Sequence, residues 1–274
     1  MSDHRMPSLF VSHGAPTLAV EDGAAHRFLT ELGDKLERPE AILMLSAHYE
    51  EPVATVTAGE KPETIHDFGG FPRELYRIQY PAPGSPALAD AVAKLLGDAG
   101  WPARRDPSRG LDHGAWVPLR LMYPEADIPV VQLSIDSRRG AGYHYALGEL
   151  LRPLRDDGVL VIGSGGATHN LRLFFGAGHD DPPPDWVRGF SDWVERTIAE
   201  DRRQDLIAYR SRAPHAADNH PTEEHFMPLL AALGAAHPEE RGERIHSSHT
   251  YGILMMDAYQ FGGGTTEIDA GEPV

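Results

Sequence analysis

The chain has 274 residues, 41% of them hydrophobic, enough to bury the core of one large domain, and no Ser/Gly linker or charge block divides it. Its formal charge of −16 argues against nucleic acid and anionic membrane surfaces as partners, since both demand clustered Lys and Arg. The lack of cysteine excludes disulfides, thiolate zinc sites and a cysteine nucleophile, so any metal must be held by nitrogen and oxygen ligands. No apolar run approaches membrane-spanning length and no apolar signal core precedes the first strand, so a cytoplasmic location is expected.

In chain order, the apolar runs 8–12 and 41–47 read as buried strands, separated by an amphipathic helix over 24–36 that puts Phe28, Leu29, Leu32 and Leu36 on one face. A second helix runs from Pro86, which suits a first turn, to Gly97. Val130 to Ile135 and Val159 to Ile162 are further buried strands, with a helix over 143–154 between them. After the Pro182-Pro183-Pro184 break comes a helix from Trp186 to Ile198. Thr222-Glu223-Glu224 signals the start of an apolar helix from Phe226 to Leu233, and Tyr251 to Tyr259 reads as a closing strand. The stretches 59–85 and 104–114 are irregular, rich in histidine and aromatic residues, and read as pocket walls. Strands alternating with helices give an α/β fold: one domain over 1–274, a central parallel or mixed sheet with helices on both faces, and a flexible tail after about residue 262.

Fifteen histidines are many for this length, and four stand at element ends. His13 follows the first strand, His48 the second, and His169 lies past the 159–162 run and a Gly-rich turn; His225 opens the 226–233 helix. Reactive groups in an open α/β sheet gather beyond the carboxyl ends of the strands. Neutral imidazole is the commonest metal ligand, and Ser12, Ser46, Ser164 and Thr168 lie where they could orient such rings. The third ligand beside His13 and His48 is His225, Glu223 or Glu224; spacing does not choose. Singly, each histidine is better read as a hydrogen-bonded structural residue; together they point to a metal site with open positions, which suits catalysis.

Of the others, His66, His113, His220 and His249 sit in loops beside Gly, Pro or Asp and are candidates for lining the site. His4, His26, His144, His179, His215, His237 and His246 are assigned to surface or capping duty. Gly163-Ser164-Gly165-Gly166 lacks the ending of a phosphate loop and is not a nucleophile elbow; its glycines are expected to turn the backbone so that His169 points inward.

The strings Ser12-His13-Gly14-Ala15-Pro16, Ser46-Ala47-His48, His66-Asp67-Phe68-Gly69-Gly70-Phe71-Pro72, Leu111-Asp112-His113-Gly114-Ala115-Trp116, Gly163 to Asn170 and His220-Pro221-Thr222-Glu223-Glu224-His225-Phe226 occur in this order. In these motifs the chain resembles the DOPA-dioxygenase type of class III (LigB-like) extradiol ring-cleavage dioxygenases, from residue 8 to about 261. The resemblance implies one divalent non-haem metal per chain, Fe(II) for activity, with Zn(II) able to occupy the same site. It implies that His13, His48 and His225 are the metal ligands and that His113 faces substrate and oxygen. It matches His169 to an acid/base with a pKa in reach of neutrality (some family descriptions count it as a ligand). His66, His220 and His249 are assigned to substrate binding. The implied reaction is extradiol, DOPA-like 4,5-cleavage of a catechol with O₂ to a muconic semialdehyde, with a homo-oligomer left open. The rival readings are a zinc-dependent hydrolase using the same histidines with Glu223 or Glu224 as base, and a binding module that has lost the chemistry.

Overall fold

The computed structural model describes residues 5–173 and 176–263. In chain order the elements are β1 (Ser8–Ser12), α1 (Ala24–Lys35), β2 (Ala41–Ser46), β3 (Ala54–Thr57), α2 (Pro86–Asp98), β4 (Ala103–Asp106) and α3 (His113–Met122). Next come β5 (Val130–Gln132), α4 (Gly140–Asp156), β6 (Val159–Gly165) and α5 (Asp185–Ala199). The rest are α6 (Arg203–Ile207), α7 (Tyr209–Arg212), α8 (Ala216–Asn219), α9 (Met227–Ala235), β7 (Gly242–His246), β8 (His249–Thr250), β9 (Leu254–Met255) and β10 (Ala258–Phe261).

The main sheet has the order β5-β2-β6-β1-β10-β7. Its first four strands are parallel, while β10 runs antiparallel to β1 and β7 antiparallel to β10. Side chains alternate between two apolar layers. Leu9, Val11, Ile42, Met44, Leu160 and Ile162 face the layer covered by α1 and α3. Phe10, Leu43, Leu45, Val159 and Val161 face the layer covered by α4 and α9. A parallel sheet buried on both faces needs this continuous apolar character, which is why these strands were readable from sequence.

Three expectations are corrected. The run 130–135 forms ladder only over β5; beyond it Leu133 and Ile135 bridge instead to Val56 and Glu50. The expected strand 251–259 is interrupted: Tyr251 and Gly252 take positive φ (55° and 65°), giving a turn before β9, and only from Ala258 does the chain join the sheet. The irregular stretch 104–114 ends in a helix, α3, that begins at His113. The tail after 262 lies almost wholly outside the described residues. Among the described residues no helix is long and apolar enough to cross a membrane.

Candidate metal centre

Strands β2, β6 and β1 are adjacent and parallel, so their carboxyl ends share one edge, and each is followed by a histidine. Register makes the placement tight. Ser12 pairs with Gly165 and Ser46 with Ser164, and the next amides continue the pattern: His13 N–H donates to the Gly165 carbonyl, Ala47 N–H to that of Ser164 (both 3.0 Å). His13 and His48 therefore leave the sheet on either side of β6.

His225 reaches the same point by a different route. The backbone at the start of α9 and just before it lies directly on β6: a Cβ on Gly163 would meet the Pro228 carbonyl oxygen at 2.1 Å, and one on Gly165 the His225 carbonyl oxygen at 2.1 Å. Gly166 N–H donates to that same His225 carbonyl at 3.0 Å. These glycines are needed for close approach, not for turning. None of Gly163, Gly165 and Gly166 has positive φ, which corrects the expectation that they fold the chain back.

Five imidazoles converge. Ring centroids lie 4.9 Å apart for His13 and His48, 5.4 Å for His13 and His225, and 4.9 Å for His48 and His225. His113 is 3.9 Å from His48 and 5.4 Å from His13, and His169 stacks on His225 at 3.4 Å with 9° between planes. Nitrogens of His13, His48 and His113 fall within 4.8 Å of one another, as do ligand atoms of His169, Glu224 and His225.

Outer hydrogen bonds orient these rings. The Ser164 hydroxyl donates to the Gly114 carbonyl (2.5 Å), so it accepts from His13 Nδ1–H (2.9 Å). Asp67 accepts Nδ1–H of His113 (3.0 Å) and Glu224 that of His225 (3.0 Å). Each ring thus keeps its Nε2 lone pair free. His13 Nε2 and His48 Nε2 are 3.0 Å apart, and His225 Nε2 is buried without a partner. Two nitrogens each about 2.1 Å from one cation at a right angle lie about 3.0 Å apart. An all-nitrogen donor set with an orphaned buried nitrogen fits a divalent ion.

Electrostatics agree. Burial, then the neighbouring imidazoles, holds His13 and His225 well below the ordinary histidine range. Burial likewise brings His48 and His169 to about 4. All four are neutral at physiological pH, as metal binding requires. His169 is therefore not poised near neutrality as expected; desolvation makes it a neutral proton acceptor instead.

Of the serines and threonine expected to orient rings, Ser164 bonds His13, while Ser46 accepts His48 N–H and donates to Asp112. Ser12 and Thr168 brace backbone, through the carbonyls of Asp257 and Ile253. Glu223 is engaged by the Tyr209 hydroxyl at 2.5 Å.

A cavity of about 590 Å³ opens over the cluster, lined by His13, His48, His113, His169 and His225 together with the loop carrying Phe68 and Phe71. Three residues assigned to substrate binding lie elsewhere. His66 donates to the Ile78 carbonyl and packs against Trp116 behind Phe68. His220 is fully buried, bonded to the Ala167 carbonyl. His249 is exposed on β8. His144 and His246, assigned to the surface, are also placed differently. His144 is fully buried between the Gly140 carbonyl and Asp136 N–H, and His246 stacks on Phe28. His4 lies outside the described residues. Asp67 and Asp112 were missed; their signal was adjacency to His66 and His113 in the two loop strings.

The sequence model of the family described as "Catalytic LigB subunit of aromatic ring-opening dioxygenase" matches residues 7–262. The chain is 42% identical over 268 residues to 4,5-DOPA dioxygenase extradiol of Beta vulgaris, covering 94% of this chain and 97% of that protein. It is 44% identical over 266 residues to 4,5-DOPA dioxygenase extradiol of Escherichia coli (strain K12), covering 96% and 97%. The crystal structure of an uncharacterized protein from Escherichia coli K12 superimposes with a TM-score of 0.80 at 38% identity, covering 94% of this chain and 100% of that one.

Proposed function

Because this chain belongs to the LigB family of aromatic ring-opening dioxygenases, we propose that it opens a catechol ring by extradiol, DOPA-like 4,5-cleavage with O₂, giving a muconic semialdehyde. The observation that carries this reading is the convergence of five imidazoles on one cavity, with the Nε2 of His225 buried and unpartnered. In this proposal residues 1–274 form one catalytic domain, and one divalent ion per chain is held by His13, His48 and His225. Fe(II), when bound, supplies the redox chemistry that couples the catechol to O₂, whereas Zn(II) fits the same donors but has no redox chemistry.

The side chains do the rest. His169, neutral and stacked on His225, accepts a phenolic proton and returns it as the ring opens. His113, its Nδ1–H held by Asp67, offers a bare Nε2 to the substrate. Phe68 and Phe71 cover the cavity and keep water from the reacting ring.

Neither glutamate that the hydrolase reading names as base is free: Glu223 is bound by Tyr209, and Glu224 by the outward nitrogen of His225. The deciding experiment loads the metal-free protein with Fe(II) anaerobically, adds a panel of catechols, admits air, and follows O₂ uptake and the yellow ring-opened product. Stoichiometric O₂ uptake with ring opening is expected. Turnover that proceeds equally well without O₂ would overturn the proposal.

A further inference from the structure

Resting on the reading of His48 as a metal ligand, we infer that Arg109 is its positioning residue: it clamps the main chain of His48 so that the ring Nε2 faces that of His13, 3.0 Å away. His48 is held differently from the other two proposed ligands. The ring of His13 is fixed by Ser164 and that of His225 by Glu224, whereas His48 Nδ1 stands 4.0 Å from Asp67 Oδ2, beyond hydrogen-bond reach. Nor does His48 belong to a strand. β2 ends at Ser46, and Ala47 N–H makes the last bond that continues the ladder, to the Ser164 carbonyl. The peptide groups of His48 supply the fixing that its ring lacks.

Both of those groups lead to one buried carboxylate. His48 N–H donates to Ser46 Oγ (3.1 Å), which donates to Asp112 Oδ1 (2.6 Å). The His48 carbonyl accepts from Arg109 Nη2 (3.1 Å), and the same nitrogen donates to Asp112 Oδ2 (3.3 Å). Asp112 is fully buried and also accepts from Gln132 Nε2 (2.8 Å), which makes it a fixed anchor for both tethers. Arg109 is secured at each end. Asp106 Oδ1 accepts its backbone N–H (3.1 Å), and its guanidinium lies 4.5 Å from the ring centre of Tyr49, the residue after His48. A planar guanidinium meets a carbonyl, a carboxylate and an aromatic face at once, which the point charge of a lysine cannot. Gly114 leaves room for the arrangement: a Cβ there would meet Ser46 Oγ at 2.4 Å and His48 Cδ2 at 3.1 Å. Without Arg109 the His48 peptide keeps one of these two tethers, and Asp112 loses its cationic partner while still buried.

Co(II) is the probe, because it takes imidazole donors and its visible absorption reports binding without turnover. It is titrated into metal-free wild type, Arg109→Ala, Arg109→Lys and His48→Ala. Arg109→Ala should weaken Co(II) binding about 10- to 100-fold, the range for losing a group that orients a ligand. Arg109→Lys, which can still reach one acceptor, should recover part of the loss, and so should ethylguanidinium added to Arg109→Ala. An unchanged Kd in Arg109→Ala would overturn the inference. A loss that neither lysine nor ethylguanidinium recovers would also overturn it, since general damage to the fold gives that result. His48→Ala separates the two readings. If it weakens Co(II) binding and Arg109→Ala does not, the clamp alone falls; if it leaves binding unchanged, the ligand reading falls and the clamp with it.

Discussion

Asp67 Oδ1 accepts two hydrogen bonds from His113, one from its backbone N–H at 2.9 Å and one from its ring Nδ1–H at 3.0 Å. One carboxylate oxygen thus fixes both where α3 starts and which way its first imidazole faces. Burial works to raise the Asp67 pKa, and the bonds to His113 outweigh it, holding it at about 2. The carboxylate is ionised at any working pH.

Removing that oxygen should loosen the ring without emptying the metal site. Asp67→Ala is expected to lower kcat/KM about 10- to 100-fold, the range for losing an outer-sphere partner, while Fe(II) stoichiometry stays at the wild-type value. Asp67→Asn, whose carbonyl oxygen still accepts, should recover part of the loss. Steady-state kinetics with metal analysis on the same preparations would decide it; a fall in metal content matching the fall in rate would contradict the orienting role.

Metal should stabilise the fold through the histidines that converge. A ligand at about 100 times its Kd adds about 2.7 kcal/mol to stability, so Fe(II) or Zn(II) added to metal-free protein should raise Tm by several degrees. His13→Ala and His225→Ala should abolish that rise. Melting curves of wild type and both variants, with and without metal, test it, and an undiminished rise in either variant would remove that residue from the ligand set.

Close approach at β6 is a packing requirement that alanine cannot meet. Gly165→Ala forces a methyl against the His225 carbonyl and should cost about 1–3 kcal/mol, with weakened metal uptake because His225 is displaced. Gly189, inside α5, has nothing within 4 Å of its missing Cβ. There the same substitution should stabilise by up to about 1 kcal/mol. Urea unfolding of the two variants should therefore move the midpoint in opposite directions.

Acid should destabilise the protein partly through His144, which lies outside the cavity lining. Its ring is fully buried, and desolvation lowers its pKa to about 4 from the ordinary 6.5, against a hydrogen bond to the Gly140 carbonyl that raises it. The unfolded chain then binds the proton more readily than the folded one. The contribution is fully present above pH 6.5 and is lost as pH falls toward 4, on the order of 3 kcal/mol in all. Between about pH 7 and about pH 5, His144→Gln should lose less stability than wild type. Equal slopes by denaturant titration would exclude His144 as a source.

The parallel strands and the histidines behind β1, β2 and β6 were legible because a twice-buried strand is apolar along its length and ends sharply. Other elements hid for physical reasons. The α3 helix is buried on nearly every side and carries Gly114 and Pro118, so it shows neither an amphipathic stripe nor helix-forming composition. Strand β4 reads Ala-Arg-Arg-Asp because it is largely exposed and pairs only with β3. His144 shares the inward face of α4 with Leu147, Leu151 and Leu154, a periodicity that its polar neighbours mask. Asp67 acquires its role only when a long loop brings it to a residue 46 positions later. Loop histidines such as His66 and His220 sit beside Gly, Pro or Asp like true site residues, and only their bonds to backbone carbonyls set them apart.

The donors that converge on the cavity come from the beginning, middle and final third of the polypeptide. If His13, His48 and His225 hold one ion as proposed, a chain that ends before residue 225 lacks the complete donor set. On that reading the ion can be acquired only once the first strand and the start of the last long helix have come together, so its uptake would report completed folding.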